Sequence, residues 1–209
     1  MDIKAHLDGI LKPHDVSGNL KMDVAHLDWQ ALHLMDTRFQ TSQHLGVRFS
    51  SDLRKRYAVE AEMTNATIVT AKRTSHSKDL FVGFSTSRDS TSAYLRAGDL
   101  DLSLEGAGHI ESISGRAEML MKKLTEQWNS KHIEQEELRE FLPGLCLRIS
   151  SGPDNPIANY LSMMGLSYGR LFMDMDSSPT EGLNGEAYYM DCVRTVWCWI
   201  RSIWTCNKT

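Results

Sequence analysis

A chain of 209 residues that is 41% hydrophobic, 24% charged and formally −4 has the make-up of an ordinary globular protein, long enough to bury a core without metals or disulfides. With 5 prolines and 14 glycines, the composition argues against a long disordered tail. The opening MDIKAHLDGILKPHD is broken by Lys4, His6 and Asp8, unlike a secretory leader, and the most apolar C-terminal run is interrupted by Asp191, Arg194 and Arg201, short of the ~18 apolar residues of a membrane span.

In chain order, Ile3, Leu7, Ile10 and Leu11 have helical spacing, closed by Pro13. Residues 19–35 are ambiguous, with Leu20, Met22 and Val24 alternating as in a strand while Trp29, Leu32 and Met35 fit a helix or a second strand. From 44 to 105 the period is two, in RYAVEAEM, NATIVTAK, DLFVGFSTS and SAYLRAGDLDLSL. The gaps are too short for crossover helices, so the expected sheet is antiparallel, with one buried face and one wet face.

After Gly115 the period turns helical. Ala117, Leu120, Met121, Leu124 and Trp128 share a face, Ser114 is placed to cap the first turn, and Pro143-Gly144 ends the segment, with a second helix able to start at Ser130. A short strand LCLRIS, a turn, a small helix around IANYLSMM, an apolar run YGRLFM, a polar loop over 174–186 and a terminal helix follow. The expected class is α+β: an antiparallel sheet in the first half packed by helices from the second half. The chain reads as one domain over 1–209, with a β-rich basic part at 37–110 and a helical acidic part at 111–209.

Charge is unevenly spread. Residues 37–98 carry 10 Lys/Arg against 5 Asp/Glu, while residues 1–36 are net −3 and residues 99–209 net −6. Arg48, Arg54, Lys55, Arg56, Lys72, Arg73 and Lys78, set among serines and threonines, suit an anionic surface such as RNA or an acidic membrane, because guanidinium groups pair bidentately with phosphate. The alternative is that these charges solubilise turns or pair with the acidic second half. On a helical wheel, residues 188–206 gather Trp197, Trp199 and Trp204 on one apolar half. That half is suited to the chain's own core, to another subunit or protein, or to a headgroup layer.

Cys146, Cys192, Cys198 and Cys206 form no CxxC pair and no zinc spacing, which fits a reducing compartment: cytoplasmic, with nuclear or membrane-peripheral placement as variants. LFMDMDSSPTEG resembles in miniature the DxDx(T/S) loop of haloacid-dehalogenase-type phosphatases. The resemblance implies Asp174 as nucleophile and Asp176 as acid/base beside Mg²⁺, in a metal-dependent hydrolase. That family requires a parallel sheet and further motifs, and 33 residues follow Asp176, so a solvated loop is the expectation. The loop at Gly106 and Gly108 lacks the lysine of a phosphate-binding motif, and His109 with Glu111, or His26, Asp28 and His33, are pairings that eight scattered histidines produce by chance.

The functional expectation is therefore a non-enzymatic structural or interaction protein, without cofactor or small-molecule substrate. It would bind an anionic surface, RNA or membrane, and associate with itself or a protein partner. Viral matrix-like or accessory proteins offer an analogy, and an adaptor without a nucleic-acid role is the other alternative.

Overall fold

A computed structural model describes residues 2–34, 36–71, 74–163, 169–191 and 198–205, and excludes the side chains at 160, 162, 163, 190, 191 and 198–205. The strands are β1 (Asp2–Lys12), β2 (Asp15–Asp28), β3 (Phe39–Ser51), β4 (Tyr57–Thr70), β5 (Thr74–His76), β6 (Leu80–Thr86), β7 (Ser90–Ala97), β8 (Leu100–Ala107), β9 (Leu145–Ser151), β10 (Arg170–Ser178), β11 (Gly182–Asp191) and β12 (Cys198–Thr205). The helices are α1 (Ile110–Ser130), α2 (Gln135–Glu140) and α3 (Pro156–Met163). All the strands join one sheet that follows chain order from β1 to β12, with β5 beside β4. Every pairing is antiparallel.

This corrects the expected α+β layering. The sheet does not stop at residue 110 but runs on through β9–β12, and the helices are insertions between neighbouring strands, not a layer packed on the sheet. The expected first helix is β1. Its i, i+4 apolar spacing is equally an alternation of Ile3, Ala5, Leu7, Gly9 and Leu11, and pairing with β2 over its full length selects the strand. Pro13 and His14 form the two-residue turn between them, His14 having φ 70°. The ambiguous segment from residue 19, described as far as residue 34, resolves into the end of β2 and a turn, where Trp29 donates from Nε1 to Thr41 Oγ1 at 3.0 Å. The expected loop 174–186 is the β10–β11 hairpin, and the expected terminal tryptophan helix is β11 followed by β12, with 192–197 outside the described residues.

α1 is tied to the sheet by its first turn. Thr86 Oγ1 accepts the Ile110 N–H at 3.1 Å, the Thr86 and Thr91 hydroxyls lie 2.8 Å apart, and Thr91 donates to the Gly108 carbonyl at 2.8 Å. His109, not Ser114, is the cap, accepting the Glu111 N–H. The buried Ile113 side chain lies over Gly106, where a Cβ would come within 2.5 Å of Ile113 Cδ1. Beyond that turn the helix departs from the sheet, leaving Met121 61% and Trp128 71% exposed. Lys131, with φ 57°, ends α1, and Glu137 ties α2 back to it by accepting from Lys123 and Gln127, both at 2.7 Å.

At the opposite rim α3 is anchored through Asn155, which is fully buried. Its amide donates to Asp99 Oδ1 at 2.9 Å, to Ser151 Oγ at 3.1 Å and to the Gly152 carbonyl at 2.7 Å, while its Oδ1 caps the helix by accepting the Ala158 N–H at 2.8 Å. Burial works to raise the Asp99 carboxyl, but the Asn155 amide and the Asp154 and Gly152 N–H groups outweigh it and hold the carboxyl below its usual range. Asn155→Ala is expected to lower the unfolding free energy by about 2 kcal/mol, since a helix cap and a buried carboxylate partner go together; urea unfolding at constant m-value measures it. Because Asp99 is depressed in the folded chain, its contribution is present above about pH 4 and is lost as pH falls through its lowered value. Asp99→Asn therefore flattens the stability profile in that acid range.

Candidate functional site

Register turns the alternation within each strand into two continuous faces. One row runs Leu7, Leu20, Val47, Ala61, Val82, Leu95, Leu102, Ile149, Met173, Ala187, each registered with the next, from β1 to β11. Two residues along, Phe49, Val59, Phe84, Ala93, Leu104, Leu147 and Met175 form a second row, with the Phe49 ring over Gly18. On the other side of the first row lie Met22, Leu45, Met63, Leu80, Ala97 and Leu100. At ~4.8 Å per strand and ~6.8 Å between rows, the first row spans about 43 Å, and with the shorter rows on either side the strip covers roughly 750 Å². The largest apolar patch on a typical monomer is about 300–600 Å².

Among the described residues no layer covers this strip beyond its Ala97–Leu100 end, where both side chains are buried. Among the described residues the buried apolar side chains are Val24, Ala66, Ala97, Leu100, Ile113 and Ala158, and Val82, Phe49 and Val59 on the strip are 36%, 41% and 43% exposed. The chain's accessible surface is 14963 Å², against roughly 9,800 Å² for a compact monomer of this mass. Leu20, Met22, Leu45, Val47, Met63 and Leu80 line a shallow apolar hollow of about 220 Å³ on the strip.

The opposite face is ionic. Three pairs directly registered across neighbouring strands carry opposite charge, Arg48 with Glu60 at 3.1 Å, Arg96 with Asp101 at 3.3 Å and Arg148 with Asp174 at 3.5 Å, and His44 hydrogen-bonds its registered partner Asp23. Tyr94 lies over Gly83, with the Arg96 guanidinium 5.3 Å from its ring centre. Exposed pairs of this kind contribute at most about 1 kcal/mol each. Their consequence is orientation, since a register slip of one residue would bring every ion to the apolar side.

The described basic residues among those singled out in the sequence occupy different elements. Arg48 is paired with Glu60 on the ionic face, and Lys78, between β5 and β6, lies 2.6 Å from Asp154; that hydrogen bond and the Asp154 charge raise the Lys78 pKa. Arg54, Lys55 and Arg56 occupy the β3–β4 turn, where all three backbone N–H groups donate to Asp52, holding its carboxyl below the usual range, and none of the three side chains is in a salt bridge among the described residues. Lys72 and Arg73 lie outside the described residues, as does Trp197. Trp199 registers with Met190 and Trp204 with Gly185 in β12.

Asp174 and Asp176 stand on β10 with Cys146 of β9, the three offering ligand atoms within 4.8 Å of one another. Arg148 already engages Asp174, whose Oδ1 is buried without a hydrogen-bond partner. The antiparallel surroundings differ from the parallel sheet of the phosphatase loop they resemble. Hydrogen bonding to Asp176, burial and its charge push the Cys146 thiol up, opposite to the depressed pKa of an activated nucleophile. An open trough of about 610 Å³ at the neighbouring rim is lined by Thr91, Gly106, Cys146, Asp176 and Ser177; the Cys146–Asp176 contact lies in its wall, and the Ser177 hydroxyl donates to the Pro143 carbonyl at 2.7 Å.

No family model, no curated protein and no solved structure matches the chain. No described helix is long and apolar enough to cross a membrane. Among the described residues most of the apolar strip is thus without an internal structural partner. The alternation in YAVEAEM signalled such a face, but not that it would continue through β11 or remain uncovered.

In a chain whose other three cysteines are serine, Cys146 should react with a disulfide reagent at pH 8 more slowly than a free thiol. Asp176→Asn should speed it a few-fold by lowering the thiol pKa; the rate measured against pH gives both results.

Proposed function

We propose that this is a non-enzymatic binding protein whose apolar sheet face holds the acyl chains of lipids. The observation that carries the reading is the apolar row from β1 to β11 with its two shorter flanking rows, mostly uncovered by the described residues. The strip consists mainly of Leu, Val, Ala and Met, with no buried charge and few hydrogen-bonding side chains in its centre, so it selects by apolarity and not by directional bonds. Met22, Met63, Met173 and Met175 add flexible, polarisable surface that can adapt to chains of varied conformation. A length of about 43 Å exceeds an extended acyl chain, leaving room for several side by side.

Of the anionic partners suggested by the basic segment, lipid suits this surface better than RNA. Arg48, Lys78 and Arg96 are each matched by a carboxylate, whereas Arg54, Lys55 and Arg56 project from a turn at the end of the strip, beside the Ser51–Tyr57 pair and the exposed Leu53. A phosphate headgroup at that rim would meet guanidinium and ammonium groups while its chains lie on the rows.

Purified native protein should carry phospholipid or fatty acid detectable by mass spectrometry and should bind a fluorescent fatty acid. Placing carboxylates on the strip with Val82→Asp and Leu147→Asp should reduce the bound lipid about tenfold or more, since each inserts a charge into an apolar contact, while Glu60→Gln on the ionic face should leave it unchanged. Replacing Arg54, Lys55 and Arg56 together by alanine should lower the preference for anionic over zwitterionic vesicles, an effect that salt diminishes. A folded protein with neither bound lipid nor affinity for the probe would overturn the proposal.

A further inference from the structure

The first strand presents a second unsatisfied surface. β1 is hydrogen-bonded to β2 on one side only, is exposed along its whole length, and carries Ile3, Leu7, Ile10 and Leu11 at 37%, 70%, 53% and 83% exposure. In an antiparallel strand every second residue turns its N–H and C=O to the side away from the existing partner. β1 thus offers a row of backbone donors and acceptors over eleven residues, its single register irregularity confined to the end at Asp2 and Ile3, and with no proline or covering strand among the described residues to blunt the edge.

We propose that this edge joins a second copy of the chain, β1 against β1, antiparallel about a two-fold axis through Leu7. The sequence of the strand is complementary to itself in this register. Asp2 faces Lys12 of the second copy and Lys12 faces its Asp2, while His6 faces Asp8 and Asp8 faces His6, and all eleven residues are paired. His6 already lies 3.6 Å from Asp8 of its own strand, so the two histidines and two aspartates gather around the axis. On the apolar face Ile3 meets Leu11 and Leu7 meets its own copy. Centring the pairing on His6 instead sets Lys4 against Asp8 but leaves Leu11 and Lys12 without partners in the opposing strand. The chosen register therefore satisfies more backbone, keeps the same number of lysine–aspartate pairs and adds the His6–Asp8 contacts.

A two-fold of this kind stands perpendicular to the sheet, so both apolar faces lie on the same side, and Leu20–Leu7 of one copy continues into Leu7–Leu20 of the other. A single strand edge is a small interface, which places the affinity in the weak class and makes assembly depend on concentration. The inference rests on the edge and not on what the apolar face binds, so it stands or falls separately from the lipid reading.

Sedimentation velocity of the full chain should show a monomer–dimer equilibrium across the micromolar range. Leu7→Lys puts two like charges at the axis and should weaken association about tenfold or more, with circular dichroism confirming that the sheet is retained. Asp8→Lys should weaken it as well, and adding His6→Asp should restore it, a rescue that a merely misfolded hairpin would not give. Under mild oxidation Leu7→Cys should form an intermolecular disulfide that the unsubstituted chain does not. A monomer at all concentrations, or a dimer indifferent to Leu7→Lys and to the charge exchange, would overturn the inference.

Discussion

Everything in this molecule depends on the cross-strand register. Each strand separately is only an alternation of apolar and polar residues, which specifies two faces but no shape. Once Leu20 is opposite Val47, Val47 opposite Ala61 and so on to Ala187, the separate alternations merge into one apolar surface and one ionic surface. The Arg–carboxylate pairs are individually weak, but they occur at registered positions on one side, so a slipped strand would bring charges onto the apolar rows and lose its cross-strand partners together.

The usual resolution of such a surface is a second layer, either another sheet or a row of helices, because apolar area removed from water supplies most of the favourable free energy of folding. Here the helical insertions do something else. α1 is fastened by a threonine pair and one isoleucine at one rim, and α3 by a buried asparagine at the other, so both emerge from the strand ends without lying across the rows. The strongest polar anchoring in the molecule is therefore at the margins of the strip, and its centre is left to contacts within the sheet and to whatever binds there. Near β9 and β10 the Cys146 thiol is pushed up by Asp176, and Asp174 is engaged by Arg148.

Much of the local structure was legible. The strands from 44 to 105, the strand LCLRIS and the small helix near IANYLSMM are where their patterns place them, because in each the period and the turn residues agree. Two of the errors share one cause. In β1 and in the segment containing β12, apolar residues recur at distances compatible with both a helix and a strand, and only the presence of a neighbouring strand with open hydrogen-bonding groups decides between them. The charge surplus of the middle region was visible as a sum, but whether a cation is free depends on which residue the register sets opposite it: Arg48 meets Glu60, whereas Arg54 and Lys55 stand in a turn with no strand across from them.

By itself the sequence determined the alternating pattern and the antiparallel character of the central strands, since these follow from residue types at short spacing. Tertiary structure alone decided that the sheet extends to the C-terminal strands, that the helices stand at its rims, and that the described residues leave most of one face uncovered. The physical reason is that covering a face is a property of distant segments meeting, and nothing in a local period records whether the partner of an apolar side chain belongs to the same chain.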